Sequence, residues 1–421
     1  KHEFDFSFLI KFSNFNSIFF VYHIASFIDN IKKYMKKIDL VILAGGRGTR
    51  LGSITNKTPK PLVRINGIPF LQHLINYYSK YDFENIYIIA GYKGEQIKKE
   101  FDNKIFNLVK VTCFVEKRRK DTGGALYEIK NRIINDFILV NGDSFININL
   151  QSFFNKKKFN HNYIFLNKNT NYKENKKLID LDINTKEFVF FTKKSKLMNS
   201  GVYFLKKNIL NKIENKKISL ENEILKKLIE KKKLKGIKTN ENVIDIGIKK
   251  NLPKIEKLLL HKLRKPAIFF DRDGVINYDN KYVYKYKDFI LKKNIIPFLK
   301  RLKKYYLFIV TNQSGIARGF YGEKDFYSLH KKLKREFIKK NIFFNDVLFC
   351  PHHPQGKIKK YKKKCLFRKP GNKMLKKILF SWNIDIKKSF MIGDSKSDED
   401  CAKKTKIKFI YSNDNFSKKI K

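Results

Sequence analysis

The sequence predicts an α/β fold built twice over, because two observations recur in each half. An apolar, β-favouring run ends abruptly in a loop at Leu40–Ala44, which opens into the Gly-rich stretch 45–52, and again at Ile268–Phe270, which opens into Asp271-Arg272-Asp273-Gly274. Each run then gives way to alternating helix-like and strand-like segments, the pattern of a parallel sheet with crossover helices. A third observation, the length of 421 residues, leaves room for a core in each half. Loops at the carboxyl ends of such strands are where open α/β sheets bind ligands.

In chain order, residues 1–34 are rich in Phe and Asn and precede Met35; they read as an upstream extension, with translation starting at Met35. Residues 35–250 form the first domain: strand 40–44, loop 45–52, helix 70–81, strand 85–90, and a further strand up to Val140. Residues 251–266 read as a helical linker closed by Pro266, 267–412 as the second domain, and 413–421 as a polar tail.

The formal charge is +53, and a basic surface attracts phosphate backbones. Yet only 12 of the 92 basic residues are Arg, and the Lys are spread along the whole chain among 39 Phe and 21 Tyr. These are residues of AT-rich codons, and no basic stripe marks one element, so the charge reads as genome composition rather than a nucleic-acid role, although anionic phosphate substrates would still be drawn in faster at low salt. Four cysteines are too few for a disulfide framework, which points to a reducing cytoplasm. The longest candidate for a span, the mixed stretch 17–28, falls short of the run of about 18 apolar residues that a membrane helix needs.

The loop Gly45-Gly46-Arg47-Gly48-Thr49-Arg50 follows a buried strand, where glycines let backbone N–H groups approach phosphate oxygens and Arg50 can add charged hydrogen bonds. Downstream, Pro59-Lys60-Pro61-Leu62 presents one Lys from a stiffened backbone. Asp143, after the strand 137–140, and Asp245 are oxygen donors suited to Mg²⁺. In this order the motifs resemble the sugar-1-phosphate nucleotidyltransferases. With Gly91-Tyr92-Lys93 and Asp121-Thr122-Gly123-Gly124, they are most similar to the mannose-1-phosphate and D-glycero-D-manno-heptose 1-phosphate guanylyltransferases. The resemblance implies a mixed Rossmann-like sheet. It also implies a triphosphate bound by Gly45, Gly46, Gly48, Thr49, Arg50 and Lys60, a nucleoside pocket lined by Gly123 and Gly124, and Mg²⁺ on Asp143 and Asp245. Lys194 and Asn199 would meet the sugar phosphate, although the acid that usually precedes that lysine is replaced by Lys193.

In the second half, Asp271 and Asp273 are followed by Thr311-Asn312-Gln313-Ser314-Gly315, Arg368-Lys369-Pro370 and Gly393-Asp394-Ser395. One acid can attack phosphorus and the other move protons, Thr311 and Asn312 can bind phosphate, Lys369 can neutralise charge, and Asp394 can complete a Mg²⁺ shell. Residues 267–412 resemble the haloacid dehalogenase superfamily, in the branch of the D,D-heptose 1,7-bisphosphate and histidinol phosphatases. The resemblance implies a Rossmann-like parallel sheet with a minimal cap. Asp271 would be the nucleophile, Asp273 the acid/base, and Asp271, the Asp273 carbonyl and Asp394 would hold Mg²⁺. Arg368 would clamp a second phosphate, and Asn277, in the motif after the two acids, would join the substrate contacts.

Cys350, His352 and Cys365 form an incomplete zinc set, with Phe367 where the family has a fourth ligand. His353 or water completes it, or no metal binds. The whole predicts a bifunctional enzyme of nucleotide-activated heptose synthesis, acting on sugar phosphates and an NTP. The alternative is a histidinol-phosphate or other small phosphomonoester phosphatase carrying a regulatory or differently specific transferase domain.

Overall fold

The computed structural model describes residues 37–156, 159–168, 181–192, 197–247 and 252–412. The predicted extension 1–34, the tail 413–421, and Lys193 and Lys194 fall outside these.

The first sheet uses Ile38–Ala44 (β1), Ile86–Ala90 (β2), Ile105–Phe106 (β3), Val109–Val115 (β4), Asp136–Asn141 (β5), Asn162–Lys168 (β6), Leu181–Ile183 (β7), Val189–Phe191 (β8), Leu197–Leu205 (β9) and Leu234–Thr239 (β10). Strand β1 is central because its apolar run buries side chains on both faces. It pairs in parallel with β2 and β5, and β2 pairs in parallel with β4. Beyond β5 the sheet turns antiparallel at β9, which also pairs with β6. The sheet is therefore mixed, with ten strands among the described residues.

Helix α1 (Phe70–Ser79) is buried at almost every position, as a helix covered on both sides must be. One side meets the first sheet's core. From the other, Asn76 Nδ2 donates to the carbonyl of Ser381 in the second domain at 2.7 Å. Helix α2 (Leu252–Leu263), expected as a linker, places Ile255, Leu259 and Leu263 at a spacing of four into the first core. The segment between the halves thus packs as a helix of the first domain.

The second sheet orders Ala267–Phe270 (β11), Tyr306–Asn312 (β12), Asp346–Cys350 (β13), Phe390–Gly393 (β14) and Lys408–Tyr411 (β15) as β13-β12-β11-β14-β15, all parallel. Its covering helices include α3 (Glu323–Lys339), α4 (Lys373–Ser381) and α5 (Lys396–Lys403). Helix α3 also joins the two domains. Lys334 Nζ donates to Ser79 O at 2.7 Å and Asn107 O at 3.1 Å, and Arg335 Nε donates to Asp82 Oδ2 at 3.0 Å. Leu108, from the β3–β4 turn of the first domain, is buried with Ile316, Tyr321 and Phe326 of the second.

Candidate active sites

At the first sheet's carboxyl edge, residues far apart in sequence converge on Lys60. This lysine sits in a short 3₁₀ turn between two prolines and is only 3% exposed. Its Nζ donates to Asp143 Oδ2 at 2.7 Å and to Asp245 Oδ1 at 3.0 Å. Asp143 is delivered by the end of β5 through Gly142, whose N–H bonds Leu43 O at 2.8 Å; a Cβ there would meet that oxygen at 2.7 Å. Asp245 arrives on a two-residue strand paired with Ser144–Phe145. Gly48 has φ 69°, and a Cβ on it would press to 2.9 Å from Lys60 Cβ, so the Gly-rich loop closes over the lysine only as glycine. Arg50 joins the group: a Cβ on Gly247 would lie 3.0 Å from Lys60 Nζ and 3.1 Å from Arg50 Nη2. Both carboxylates remain open, at 39% and 45% side-chain exposure, and can take a hard cation or meet phosphate through Lys60 and Arg50.

The other predicted residues of this half stand differently. Gly46 and Thr49 lie on the exposed loop, while a Cβ on Gly45 would lie 2.9 Å from Glu116 Oε2 and one on Gly91 would lie 2.8 Å from Gly45 O. Gly123 and Gly124 both donate their N–H groups to Ile218 O at 2.9 Å, and a Cβ on Gly124 would lie 2.3 Å from Lys216 O. Their identity follows from that packing. Asn199 is turned onto its own strand, donating to Tyr203 OH at 2.6 Å and accepting from Gly201 N at 2.9 Å. Glu116, which belongs to none of the motifs, sets its carboxylate against Gly45 and Gly91 directly after β4. Burial raises its pKa. The signal was available, since an acid directly after a buried strand is the pattern that singled out Asp143.

At the second sheet, β11, β12 and β14 end side by side and bring their loops to one cavity of about 350 Å³. Asp271, Asp273, Thr311, Asn312, Lys369 and Asp394 line it. Lys369 is 2% exposed, and its Nζ lies 2.9 Å from Asp271 Oδ1 and 2.5 Å from Asp398 Oδ1. Burial pushes the Asp271 carboxyl up to about 7 against the pull of Lys369, with Asp398 adding to the rise. For Lys369 burial works downward, but the two carboxylates prevail and hold it above the usual lysine range. Gly274 has φ 75°, and a Cβ on it would lie 1.8 Å from Asp394 Oδ2, so glycine lets that acid close on Asp271. Oxygens of Asp271, Asp394 and Asp398 lie within 4.8 Å of one another, a hard-donor set suited to a divalent cation.

Asp273 is tied sideways. Arg272, 1% exposed, donates to it through Nε at 3.0 Å and Nη2 at 2.7 Å. Asn277 Nδ2 and Gln313 Nε2 each add a bond at 3.0 Å, and Tyr321 OH fixes Gln313 at 2.6 Å. Asn277 therefore acts on Asp273 from beneath, outside the cavity lining. Asn312 exchanges two hydrogen bonds with the backbone of Lys369, at 3.1 and 3.0 Å, and so positions the lysine loop. Arg368 is also outside the lining. Among the described residues its Nη1 is buried without a hydrogen-bond partner, as is Nε of Arg318, and Tyr282 at the cavity wall is within its electrostatic reach.

Among residues the motif reading left without a role, Asp398 is the most consequential. It is fully buried, held by Ser395 Oγ at 2.6 Å, and it completes the charge balance of Lys369. Its place four residues after Asp394, in the capping box of α5, was the available signal. The cap is a loop: Lys281 and Tyr282, at φ 53° and 58°, lean over the cavity, in left-handed conformations that non-glycine residues hold only under constraint.

Cys350, His352 and Cys365 bring three donors within 4.8 Å of one another. His353 is not among them, since its Nδ1 accepts from Gln355 N at 3.1 Å and its Nε2 lies 3.5 Å from Arg318 Nη2. Among the described residues no fourth protein ligand joins the three. Cys113 and Cys401 are buried. No helix of the described residues is long and apolar enough to cross a membrane.

Comparison with known proteins bears on both sites. Residues 40–262 match the nucleotidyl transferase family model, and residues 360–412 match the haloacid dehalogenase-like hydrolase model. The chain is 42% identical over 142 residues to a D-glycero-beta-D-manno-heptose-1,7-bisphosphate 7-phosphatase of Rhodopseudomonas palustris, covering 33% of this chain and 79% of that protein. It is 43% identical over 138 residues to a D-glycero-alpha-D-manno-heptose-1,7-bisphosphate 7-phosphatase of Campylobacter jejuni, covering 32% of this chain and 75% of that protein. Among solved structures, HddC from Yersinia pseudotuberculosis is 30% identical and covers 53% of this chain and 99% of its own, with a TM-score of 0.45.

Proposed function

Since the chain belongs to the nucleotidyl transferase family and carries a haloacid dehalogenase-like phosphatase of the heptose-bisphosphate family, we propose that it performs two consecutive steps on one sugar. The first removes the 7-phosphate of D-glycero-D-manno-heptose 1,7-bisphosphate. The second transfers a nucleotidyl group, GMP from GTP, onto the remaining 1-phosphate. The observation that carries the reading is Lys369 buried between Asp271 and Asp398 at the floor of a cavity that also holds Asp273 and Asp394.

In the first step an Asp271 oxygen attacks phosphorus, the bond from phosphorus to the sugar oxygen breaks, and Asp273 gives that oxygen its proton. Asp273 then takes a proton from water, which opens the aspartyl phosphate and releases inorganic phosphate. Asp273 must turn from Arg272 towards the leaving oxygen, a tightening expected when substrate fills the cavity. Lys369 offsets charge on the nucleophile, while Asp398 holds the lysine in place. Asp271, Asp394 and the Asp273 carbonyl are the residues that would hold Mg²⁺, which when bound neutralises phosphate oxygens. The partnerless guanidinium atoms of Arg368 and Arg318 suit the second phosphate of a bisphosphate.

In the transferase half, a 1-phosphate oxygen attacks the α-phosphorus of the NTP, and the bridge to the β-phosphate breaks to release pyrophosphate. Lys60 and Arg50 steady the phosphates, and Asp143 and Asp245 offer the cation oxygens. Guanine is chosen on the motif resemblance. Phosphorus NMR of the bisphosphate digest, with both anomers offered, tests the reading. The 7-phosphate signal should vanish while the 1-phosphate signal persists, and an NTP panel should then form pyrophosphate fastest with GTP. Loss of the 1-phosphate first would sink the assignment.

A further inference from the structure

A second cavity, of about 60 Å³, lies where the two domains meet. It has room for several waters, hence for one tetrahedral oxyanion. Its wall combines Lys80 and the α1 residues His73 and Asn76 from the first domain with Lys265, Trp382 and Asn383 around the second. Cross-domain hydrogen bonds flank it, from Asn76 to Ser381 O at 2.7 Å and from Asn66 Nδ2 to Asn383 Oδ1 at 2.6 Å.

Three lysines line this cavity and no carboxylate does. Lys262 is satisfied by Glu241 Oε2 at 2.7 Å. Among the described residues Lys80 and Lys265 meet aromatic faces and no acid: Lys80 Nζ lies 4.0 Å from the centre of the Tyr77 ring and 5.0 Å from that of Tyr81, and Lys265 Nζ lies 5.7 Å from that of Tyr306. Such faces offset only part of the cost of taking an ammonium out of water. Burial, helped by the charge of Lys265, lowers Lys80 to about 7. The decisive group is Asn383, 6% exposed, whose Nδ2 donor has no hydrogen-bond partner among the described residues. Two lysine amines, which an anion would hold in their charged form, and an unmatched amide donor at one small cavity call for an acceptor with several oxygens.

We propose that this cavity binds a small oxyanion of the phosphate class, held by Lys80, Lys265 and Asn383 Nδ2 at the seam between the domains. Phosphate fits whole and pyrophosphate would enter by one terminal phosphoryl group, so both share the required chemistry, and each is a product of one of the two proposed steps. The site stands apart from both active centres and does not depend on their assignment.

The test is titration calorimetry of the full chain without divalent metal, using inorganic phosphate and pyrophosphate in separate runs against chloride of matched ionic strength. Wild type should bind at least one of the two oxyanions and not chloride, and Asp271→Asn should bind it equally well, which separates this site from the phosphatase cavity. Lys80→Met and Lys265→Met should each weaken binding about tenfold or more while both enzymatic turnovers persist, which reports that the variants are folded. The tighter of the two oxyanions identifies the source. The proposal fails if wild type binds neither, if Asp271→Asn removes the signal, or if the two lysine variants bind as tightly as wild type.

Discussion

The two proposed active sites share one arrangement, a lysine among carboxylates, with opposite degrees of closure. In the phosphatase cavity Lys369 and Asp398 are sealed, at 1% and 0% side-chain exposure. In the transferase cleft Lys60 is equally buried, but its partners Asp143 and Asp245 are open to water. The difference follows the chemistry. A covalent nucleophile must be aimed and charge-balanced before substrate arrives, whereas a reaction that joins two bound phosphates needs positioning and can leave its acids open to a cation.

The largest effect expected from this contrast is on Asp271. Asp271→Asn should cut phosphate release by about four orders of magnitude or more, while pyrophosphate formation from added sugar 1-phosphate stays intact. Surviving phosphatase activity would place the nucleophile elsewhere. Next, Lys369→Met strands two buried acids and should destabilise the second domain by about 3–5 kcal/mol in denaturant unfolding. Lys60→Met should cost far less stability, about 1 kcal/mol, because its partners are exposed, but should lower transferase turnover about 100-fold. Equal losses of stability in the two variants would break the comparison.

A smaller effect belongs to the seam between the sites. Burial lowers Lys334 to about 7, below its unfolded value, although Asp82 and Asp346 oppose the shift. The unfolded chain therefore binds more protons between about pH 7 and pH 10, and stability should rise with pH there by up to about 1.4 kcal/mol per unit. Lys334→Met should flatten that rise in urea unfolding measured across the window; an unchanged slope would remove the lysine from the account. The smallest effect concerns Cys350, His352 and Cys365. Phe367→Cys should convert zinc lost to EDTA into zinc retained at about one per chain, since a closed tetrahedral site wants four ligands.

Much of this was legible in the sequence because strand-end motifs keep their geometry wherever the sheet is parallel. Asp271, Asp394 and Thr311 meet in one cavity because β11, β12 and β14 are adjacent. In the other site only Asp143 follows that rule, after the parallel strand β5, while Lys60 sits in a 3₁₀ turn and Asp245 on a short antiparallel strand. What the motifs could not carry is where side chains spend their hydrogen bonds. Asn199, Asn277 and Asn312 are expected on substrate; Asn199 and Asn277 are bonded to their own protein neighbours, and Asn312, though it lines the cavity, is bonded to the Lys369 backbone. Asp398 went without a role because its partner lies 29 residues back in the chain, visible only after folding. The fit of α2 against the first core was likewise hidden, since an amphipathic helix reads the same as a linker or as a layer.

One measurement bears most directly on the central claim that both sites serve one sugar in sequence. Heptose 1,7-bisphosphate, GTP and Mg²⁺ are given to the wild-type chain, and phosphate and pyrophosphate are followed together. Phosphate should appear first, with pyrophosphate following in equal final amount and only when GTP is present. Asp271→Asn should yield neither product until heptose 1-phosphate is supplied, and then pyrophosphate alone. Pyrophosphate formed from the bisphosphate by Asp271→Asn would contradict the account.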